Sequence, residues 1–391
     1  MKTGDQLLVK KINKSIVLHT LQTVSPISRA EISKLTGLNK ATVSTLVSEL
    51  MDKDLVKEIG IGKSSGGRKP VMLYFNQTAG YSIGIDLGVN YILAILTDLK
   101  GVIIEREVVE VTDTSKKNVF GILKTIITNI LELVPESPYG VVGIGIGVPG
   151  MTNKEGTIIF APYLNWKNVD LKGYIEKEFQ LPVIIENEAK AGAHGEKIYG
   201  SGQNAPNFIY VSIGMGIGGG IIIDNKLYHG KGGLAGEIGH TIIDAYGKKC
   251  SCGNRGCWEM YGSENALLKQ AKLLTSLEGK DISFEFLIHE AEKGNIEVIN
   301  LFHNIGEYIG IGLTNIMNTF NPDQVIIGNR FSRLESWIAN SIHRVLQQRL
   351  YPYFYESLDL SFSQLGVLSC ALGSTSFSIE NFFSQEKVTV T

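Results

Sequence analysis

The sequence contains little cysteine and lacks any long apolar segment. Only four of its 391 residues are cysteines, too few for the disulfide framework of an extracellular scaffold. No run approaches the roughly 18–20 apolar residues that span a bilayer. The polar, basic residues 1–14 also lack the apolar centre of a signal peptide. We therefore expect a soluble cytoplasmic protein with no membrane partner, long enough for two or three domains.

The charged residues, 19% of the chain, are distributed unevenly along it. Residues 1–79 contain 12 Lys or Arg against 6 Asp or Glu, whereas the whole chain has a net charge of −2. A basic first part followed by an acidic remainder is typical of a nucleic-acid-binding module joined to a ligand-binding domain. A chance distribution of surface charge is the alternative.

Local signals in the first fifty residues predict three helices. Apolar residues recur at helical spacing over residues 7–21 and indicate a first helix. Ser28-Arg29-Ala30-Glu31 is a capping box for a second helix, which is expected to end at Gly37. Asn39 caps a third helix, whose apolar stripe consists of Val43, Leu46, Val47 and Leu50. This arrangement is typical of a helix-turn-helix.

A basic wing is predicted after the three helices. Expected strands over residues 55–61 and 71–75 flank a glycine-rich segment, residues 62–70, which contains Arg68 and Lys69. We therefore assign residues 1–78 to a winged helix-turn-helix that binds operator DNA, with a small protein-interaction domain as the alternative. The candidate DNA contacts are Ser28, Arg29, Asn39, Lys40, Thr42, Ser44, Thr45, Arg68 and Lys69.

From residue 80 the pattern changes to two cycles of strands and helices. The first cycle begins with a buried strand at residues 81–87, and the second begins with a strand at residues 208–213. A glycine-rich turn is expected at Gly214–Gly220, before a strand that starts at Ile221. Such a repeat predicts an α/β fold of two lobes, residues 79–186 and 187–391, with a ligand-binding cleft between them. The C-terminal helix is expected to return to the first lobe.

Three of the four cysteines lie within eight residues. Cys250, Cys252 and Cys257 occupy a glycine-rich turn, and His240 lies ten residues upstream. One imidazole and three thiolates form a closed tetrahedral Zn²⁺ site with no open position for water, so structural zinc is the expected cofactor. Free buried cysteines and a core histidine are the alternative. Cys370, alone in an apolar stretch, is expected to be a packed core thiol.

Several motifs together carry a resemblance to a known family. They are Gly214-Met215-Gly216-Ile217-Gly218-Gly219-Gly220, then Gly236-Glu237-Ile238-Gly239-His240, then Cys250-Ser251-Cys252-Gly253-Asn254-Arg255-Gly256-Cys257-Trp258-Glu259. Over essentially the whole chain, the sequence resembles the ROK family of repressors, open reading frames and kinases, which implies an actin-like (ribonuclease H-like) body. The helix-turn-helix in front implies the repressor branch. Asp86, Asn165-Trp166 and residues 183–189 are similar to the members of that branch that control xylose use in Gram-positive bacteria.

The resemblance implies the same four zinc ligands and a sugar site. Buried carboxylates and amides pair with the hydroxyls of a sugar and reject analogues that leave a partner unpaired. For each residue a purely structural role, such as a helix cap or a pair with lysine, is the alternative. The implied sugar-binding residues are Asn187, Glu188, Glu237, His240 and Glu259, with Asn165 and the Pro149-Gly150 turn as weaker members.

Four departures from the pattern of the ROK kinases argue against an enzyme. Asn90 stands where the first phosphate turn of a kinase has a hydroxyl, and Met215 replaces the threonine of the second phosphate loop. Asn329 replaces a glycine on the adenosine side. The catalytic aspartate has become Glu188, whose extra methylene moves the carboxylate by about an ångström, enough to cost on the order of 100-fold in rate.

These features predict a sugar-responsive repressor without catalytic activity. We expect a homodimer, or a tetramer, on a palindromic operator with half-sites about 10 base pairs apart or a multiple of that. The resemblance, and not the residues alone, implies that D-xylose releases it from a xylose-utilisation operon. A kinase with residual ATP-dependent activity, a non-enzymatic sugar-binding scaffold, and a repressor that responds to glucose or an N-acetylated sugar are the alternatives. The sign of the response, inducer or co-repressor, stays open at this point.

Overall fold

The computed structural model of the chain describes residues 6–61 and 70–388. These residues form a small N-terminal head and two α/β lobes, each lobe built on a five-stranded sheet. Within the described ranges, no helix combines the length and the apolar character that crossing a bilayer requires.

The head is a helix-turn-helix followed by a hairpin. The predicted capping box is present, since the Ser28 side chain accepts from the backbone N–H of Glu31, and Gly37 ends the second helix with a φ of 73°. The three strands are ordered β1-β3-β2 and pack with the helices around a core cluster that also includes Leu99, Val142, Ile379 and Phe383 from outside the head. Residues 62–69, with Arg68 and Lys69 of the predicted wing tip, lie outside the described residues. The elements are α1 (Gln6–Val24), β1 (Ile27–Ser28), α2 (Arg29–Thr36), α3 (Lys40–Met51), β2 (Val56–Ile61) and β3 (Val71–Phe75).

The first lobe is a mixed sheet ordered β11-β7-β4-β5-β6, with a small antiparallel sheet, β10-β9-β8, at its edge. Strand β4 is buried along its whole length, which explains its continuous apolar sequence. The elements are β4 (Tyr81–Leu87), β5 (Tyr91–Asp98), β6 (Ile103–Glu110), α4 (Lys116–Glu132), β7 (Val141–Val148), β8 (Met151–Thr152), β9 (Ile158–Ala161), β10 (Trp166–Val169), α5 (Leu171–Phe179), β11 (Val183–Asn187) and α6 (Glu188–Tyr199).

The second lobe repeats this plan with a sheet ordered β14-β13-β12-β15-β16. Its largest core cluster lies between this sheet and the helices that follow, around Trp258 and Phe302. The elements are β12 (Phe208–Ile213), β13 (Ile217–Ile223), β14 (Lys226–Leu227), α7 (Glu259–Gly262), α8 (Glu264–Ala271), α9 (Phe284–Glu292), α10 (Ile296–Phe320), β15 (Gln324–Gly328), α11 (Glu335–Arg349), α12 (Pro352–Ser357), β16 (Asp359–Phe362) and α13 (Ser369–Val388).

The glycine-rich segment before Ile221 is shorter as a turn than the sequence predicts. Strand β13 already begins at Ile217, so most of the expected turn is strand. A Cβ on Gly218 would lie 2.9 Å from the Cβ of Ala189 in α6, and one on Gly220 would overlap Ala193. These glycines therefore let α6 pack directly on the sheet. The first residues of β13 and of α6 line the cleft between the lobes.

Candidate functional site

A cleft with an empty volume of about 1010 Å³ lies between the two lobes. The first lobe contributes the turn after β4 and the Pro149-Gly150 turn after β7, both at carboxyl ends of strands. The second lobe contributes the loop at Gly214–Gly218 and the segments around His240 and Glu259. Polar side chains are concentrated at the end of the cleft next to the cysteine cluster.

Asn187 organises the floor of the cleft. It is the N-cap of α6, and its Oδ1 accepts from the backbone N–H groups of Ala189 at 3.0 Å and Lys190 at 3.2 Å. Its Nδ2 donates to the carbonyl of Gly150 at 2.9 Å. The predicted sugar ligand Asn187 therefore lines the cleft, while most of its hydrogen-bonding capacity holds the protein together.

Glu188, the first residue of α6, presents a carboxyl group to the cleft. It has no hydrogen-bond partner among the described residues. Burial, and secondarily the charge of Asp86, raises the pKa of Glu188 to about 8. The group is therefore largely protonated at neutral pH, where it can donate as well as accept a hydrogen bond.

Tyr91 covers the turn after β4. Its hydroxyl donates to Oδ2 of Asp86 at 2.6 Å, and its ring lies so close to Gly88 that a Cβ there would overlap it. Burial raises the pKa of Asp86 to about 6, against the hydrogen bond from Tyr91. The Asp86-Leu87-Gly88 turn is thus covered by a phenol ring, a feature that the sequence does not signal because a single tyrosine carries no motif.

Glu237, His240 and Glu259 converge at the other end of the cleft. Nε2 of His240 lies 3.8 Å from Oε2 of Glu237, and Nδ1 lies 3.6 Å from Oε1 of Glu259. Burial raises the pKa of the Glu237 carboxyl. Tyr163 of the first lobe reaches across, with its hydroxyl 3.5 Å from Oε2 of Glu259 and 3.4 Å from the carbonyl of Met215. Sequence reasoning missed Tyr163, which stands two residues before the predicted Asn165.

Asn165 is the one predicted sugar ligand that does not line the cleft. It is exposed, and with a φ of 55° it ends a short 3₁₀ turn in the left-handed conformation that asparagine tolerates. This conformation accounts for the asparagine without a ligand. Tyr163, on the same turn, is the residue that points into the cleft.

The loop that leads to Glu237 is tied to the first lobe. Nζ of Lys190 in α6 donates to the carbonyl of Gly233, and Nε2 of His229 lies 3.0 Å from Oε2 of Glu186. The second oxygen of Glu186 accepts from the backbone N–H of Asn187 at 2.8 Å. Two residues absent from the predicted set, Lys190 and His229, therefore help to hold the walls of the site together.

His240, Cys250, Cys252 and Cys257 form a group that could hold a metal ion, with one ligand atom of each within 4.8 Å of the others. Nδ1 of His240 lies 3.7 Å from Sγ of Cys250, and the Sγ atoms of Cys252 and Cys257 are 3.6 Å apart. The edges of a tetrahedral zinc site with Zn–S near 2.3 Å and Zn–N near 2.0 Å are about 3.5–3.8 Å long, which these two separations match. Burial, followed by the neighbouring thiols, raises the pKa of Cys257 to about 12. A bound cation would lower this pKa because it stabilises the thiolate.

The opposite end of the cleft is lined by Arg330 and Glu264, which form a charged pair. Arg330 donates to Glu264 at 2.6 Å and to Glu285 at 2.5 Å, and its guanidinium lies 4.7 Å from the ring centroid of Phe284. Burial raises the pKa of Glu264 to about 7, partly offset by the charge of Arg330. Asn329 has a φ of 62°, a backbone conformation that glycine adopts readily, and its side chain lies against Gly214.

The predicted DNA-contact residues of α3 differ in exposure. Lys40, Ser44 and Thr45 are exposed, whereas Thr42 is half-buried. The Oδ1 atom of Asn39 accepts from the backbone N–H of Thr42 at 2.8 Å, which uses it as the N-cap. The exposed face of α3 therefore presents a lysine and two hydroxyls.

Two further candidates, at the start of α2, are engaged within the head. Ser28 is only 4% exposed, and its hydroxyl donates to the carboxylate of Glu31 at 2.7 Å. Arg29 is half-buried and pairs with Glu58 of the hairpin at 3.1 Å. These contacts favour an architectural role for Ser28 and leave the guanidinium of Arg29 near the hairpin.

The paired lobes, the cleft between them and the cysteine cluster define a two-lobed actin-like protein with a ligand site at the lobe junction. The profile of the ROK family matches residues 82–380, and the chain belongs to that family. This confirms the resemblance and the fold predicted from the motifs.

Three relatives are informative. The chain is 48% identical over 388 residues to a xylose repressor of Bacillus spizizenii, covering 99% of this chain and all of that protein. Among solved structures, a ROK family transcriptional regulator, described as a homologue of the Escherichia coli MLC protein, matches with a TM-score of 0.81 at 27% identity, covering 97% of this chain and 99% of that one. A ROK family glucokinase from Streptomyces griseus, solved with glucose and AMPPNP, matches with a TM-score of 0.68 at 29% identity over 76% of this chain and 99% of its own.

Proposed function

We propose that the chain is a transcriptional repressor that binds an operator through its winged head and is released by a small sugar, D-xylose. The observation that carries the proposal is the asymmetry of the cleft. One end presents Glu188, Glu237, His240 and Glu259, all suited to sugar hydroxyls, while the other end is lined by Arg330, whose guanidinium is paired with Glu264. The full-length similarity to a xylose repressor supports the choice of sugar.

We infer that the cleft does not turn ATP over. Tyr91 covers the turn that would hold phosphate, and its hydroxyl binds the carboxylate of Asp86. Arg330, paired with Glu264, lines the second half of the cleft, and Met215 adds a thioether to the loop between the halves. Because positioning accounts for most of phosphoryl transfer, a nucleotide without a cradle is not activated. The likeness to a glucokinase keeps residual kinase activity as the alternative to be tested.

Zinc is the metal we propose for the histidine–cysteine group. Its four ligands leave no open position, so the ion would brace the loop from His240 to Cys257 and would not act on substrate. The braced loop leads directly into Glu259, whose Oε1 lies 3.1 Å from Sγ of Cys250. His240 would use Nδ1 for the metal and leave Nε2 for a sugar hydroxyl.

For the head, we propose that α3 enters the major groove. Lys40, Ser44 and Thr45 face outward and would contact phosphates or base edges, with Arg29, Asn39 and Thr42 at the border of this surface. Arg68 and Lys69 remain candidates for the wing. Two heads in a homodimer, or in a tetramer, would match a palindromic operator.

The test is a titration of labelled operator DNA with purified, metal-loaded protein, followed by fluorescence anisotropy. We expect D-xylose to weaken operator binding by about 5–150-fold, with D-glucose and N-acetylglucosamine as comparison sugars. Operator affinity that no sugar changes would refute the switch, and a sugar that strengthens binding would make it a co-repressor. Stoichiometric production of ADP with free sugar would establish the kinase instead.

A further inference from the structure

Helix α13 is seated directly on the first lobe through glycines. A Cβ on Gly84 of β4 would overlap the carbonyl of Ala371, and one on Gly145 of β7 would overlap the carbonyl of Ser374. Strands and helix are therefore in backbone contact, closer than side chains would allow. Such a contact moves as a unit because it leaves no side chains to adjust between the two elements.

The same helix is also in backbone contact with α6, which begins at the site with Glu188. A Cβ on Gly195 of α6 would overlap the carbonyl of Ser369, and one on Gly373 of α13 would overlap the carbonyl of Ala191. Glu196, fully buried in α6, accepts hydrogen bonds from the hydroxyls of Ser369, at 2.7 Å, and Ser363. The two helices are thus joined by packing and by a buried carboxylate.

Further along, side chains continue the contact toward the head. His194 of α6 stacks on Phe377 of α13 with ring centroids 4.2 Å apart, and its Nε2 lies 3.0 Å from Oε1 of Glu380. Two residues after Phe377, Ile379 of α13 enters the core of the head, where it is 6% exposed. One helix therefore contacts α6 over its first half and the DNA-binding unit over its second.

The head receives α13 through aromatic rings. Phe383 is 5% exposed and its ring centroid lies 6.1 Å from that of Phe75 in β3, while Phe382 lies 5.0 Å from Tyr139. The first lobe also has a route of its own to the head, because the hydroxyl of Tyr139 donates to the carbonyl of Lys53 at 2.9 Å. The head thus has two connections to the body, α13 and the loop before β7, and they touch where Phe382 packs on Tyr139.

We infer that α13 transmits occupancy of the cleft to the head, with Phe383 as its terminal contact. The inference rests on the proposed function and names the route of its regulation. A sugar that contacts Glu188 contacts the first residue of α6. A shift in the position of α6 then displaces α13 through the backbone contacts at the glycines. Ile379 and Phe383 then move the packing surface on which β3 of the head rests. The coupling needs no contact between sugar and head.

The test compares two aromatic truncations of similar size in the full-length, metal-loaded protein. Phe383→Ala removes the terminal contact, and Phe354→Ala, in α12 of the second lobe, serves as the matched control. For Phe383→Ala we expect D-xylose affinity within about 2-fold of wild type by calorimetry, operator affinity within about 3-fold by anisotropy, and a xylose effect on operator binding reduced to less than about 2-fold. Phe354→Ala should keep the full xylose effect.

Two results would overturn the inference. A Phe383→Ala protein that is released by xylose as strongly as wild type would exclude α13 as the route. If Tyr139→Phe loses the xylose response and Phe383→Ala keeps it, the loop before β7 is the route instead. If Phe383→Ala does not fold, Phe383→Leu and amide exchange decide: xylose must change the protection of residues 379–384, and unchanged protection refutes the route. A wild-type protein indifferent to every sugar would instead refute the proposed function.

Discussion

Loss of the proposed metal is expected to weaken sugar binding strongly while the chain stays folded. The perturbation is Cys257→Ser, since Cys257 is fully buried within the proposed ligand set. The loop from His240 to Cys257 lies between Glu237 and Glu259, and Trp258 next to it is fully buried in the core of the second lobe. Releasing the metal therefore frees the part of the loop that faces the cleft, while the adjacent core keeps its packing.

The magnitude follows from the two carboxylates that the loop positions. A hydrogen bond to a charged group contributes about 1.5–3 kcal/mol, so loss of Glu237 and Glu259 as partners costs about 3–6 kcal/mol of sugar affinity. That corresponds to a fall of about 10²–10⁴-fold in D-xylose affinity. Calorimetry measures it, with bound zinc counted by mass spectrometry and operator affinity recorded as an internal check on the head.

Cys252→Ser is the matched comparison, because Cys252 is exposed where Cys257 is buried. Water or the serine hydroxyl can approach an exposed position, so we expect Cys252→Ser to keep more zinc and more sugar affinity than Cys257→Ser. Zinc-free Cys257→Ser protein that binds D-xylose as tightly as wild type would refute the reasoning. Equal loss in both variants would show that exposure of the ligand does not matter.

Three further predictions concern single charges. Burial raises the pKa of Glu188 to about 8, and a bound sugar raises this pKa further because it excludes water. D-xylose affinity should therefore be retained below pH 8 and fall above it, whereas Glu188→Gln should show no such fall. A flat wild-type profile from pH 6 to 9 would contradict this. Arg330→Met leaves the buried Glu264 carboxylate without its cation. Because the pKa of Glu264 is raised, stability is lost as pH rises through that pKa, so the free energy of unfolding from urea denaturation should fall more in the variant at pH 8 than at pH 6. An equal fall at both pH values would contradict the pairing. Lys40→Ala should weaken operator and non-specific DNA alike and lower the slope of log affinity against log salt by about 1; an unchanged slope would remove Lys40 from the interface.

Local signals were read correctly from the sequence because they depend on neighbours along the chain. The capping box at Ser28, the stop at Gly37 and the N-cap at Asn39 are all present as predicted. The strands at Tyr81–Leu87 and Phe208–Ile213 also have the predicted bounds, since a continuous apolar run between turn signals indicates a buried strand.

Contacts between distant segments left no comparable signal. The buried face of α13 includes Ser374, Thr375 and Ser378, which make it resemble a solvated helix although it packs between the lobes and the head. Tyr91 and Tyr163 both line the cleft because the fold brings together segments that are far apart in sequence. The glycine-rich segment was assigned to a turn for the same reason, because the helix that requires those glycines lies across the lobe junction.

The hydrogen bonds of Asn187 determine how substitutions at the floor of the cleft should be interpreted. One amide starts a helix with its oxygen and steadies the neighbouring Pro-Gly turn with its nitrogen, so an alanine there would displace Glu188 and Gly150 together. A change in sugar preference after such a substitution would therefore reflect the displacement of neighbouring residues and not the loss of a direct contact between Asn187 and the sugar. Residues whose side chains end freely in the cleft, above all Glu188, are where a redesign of sugar preference should begin.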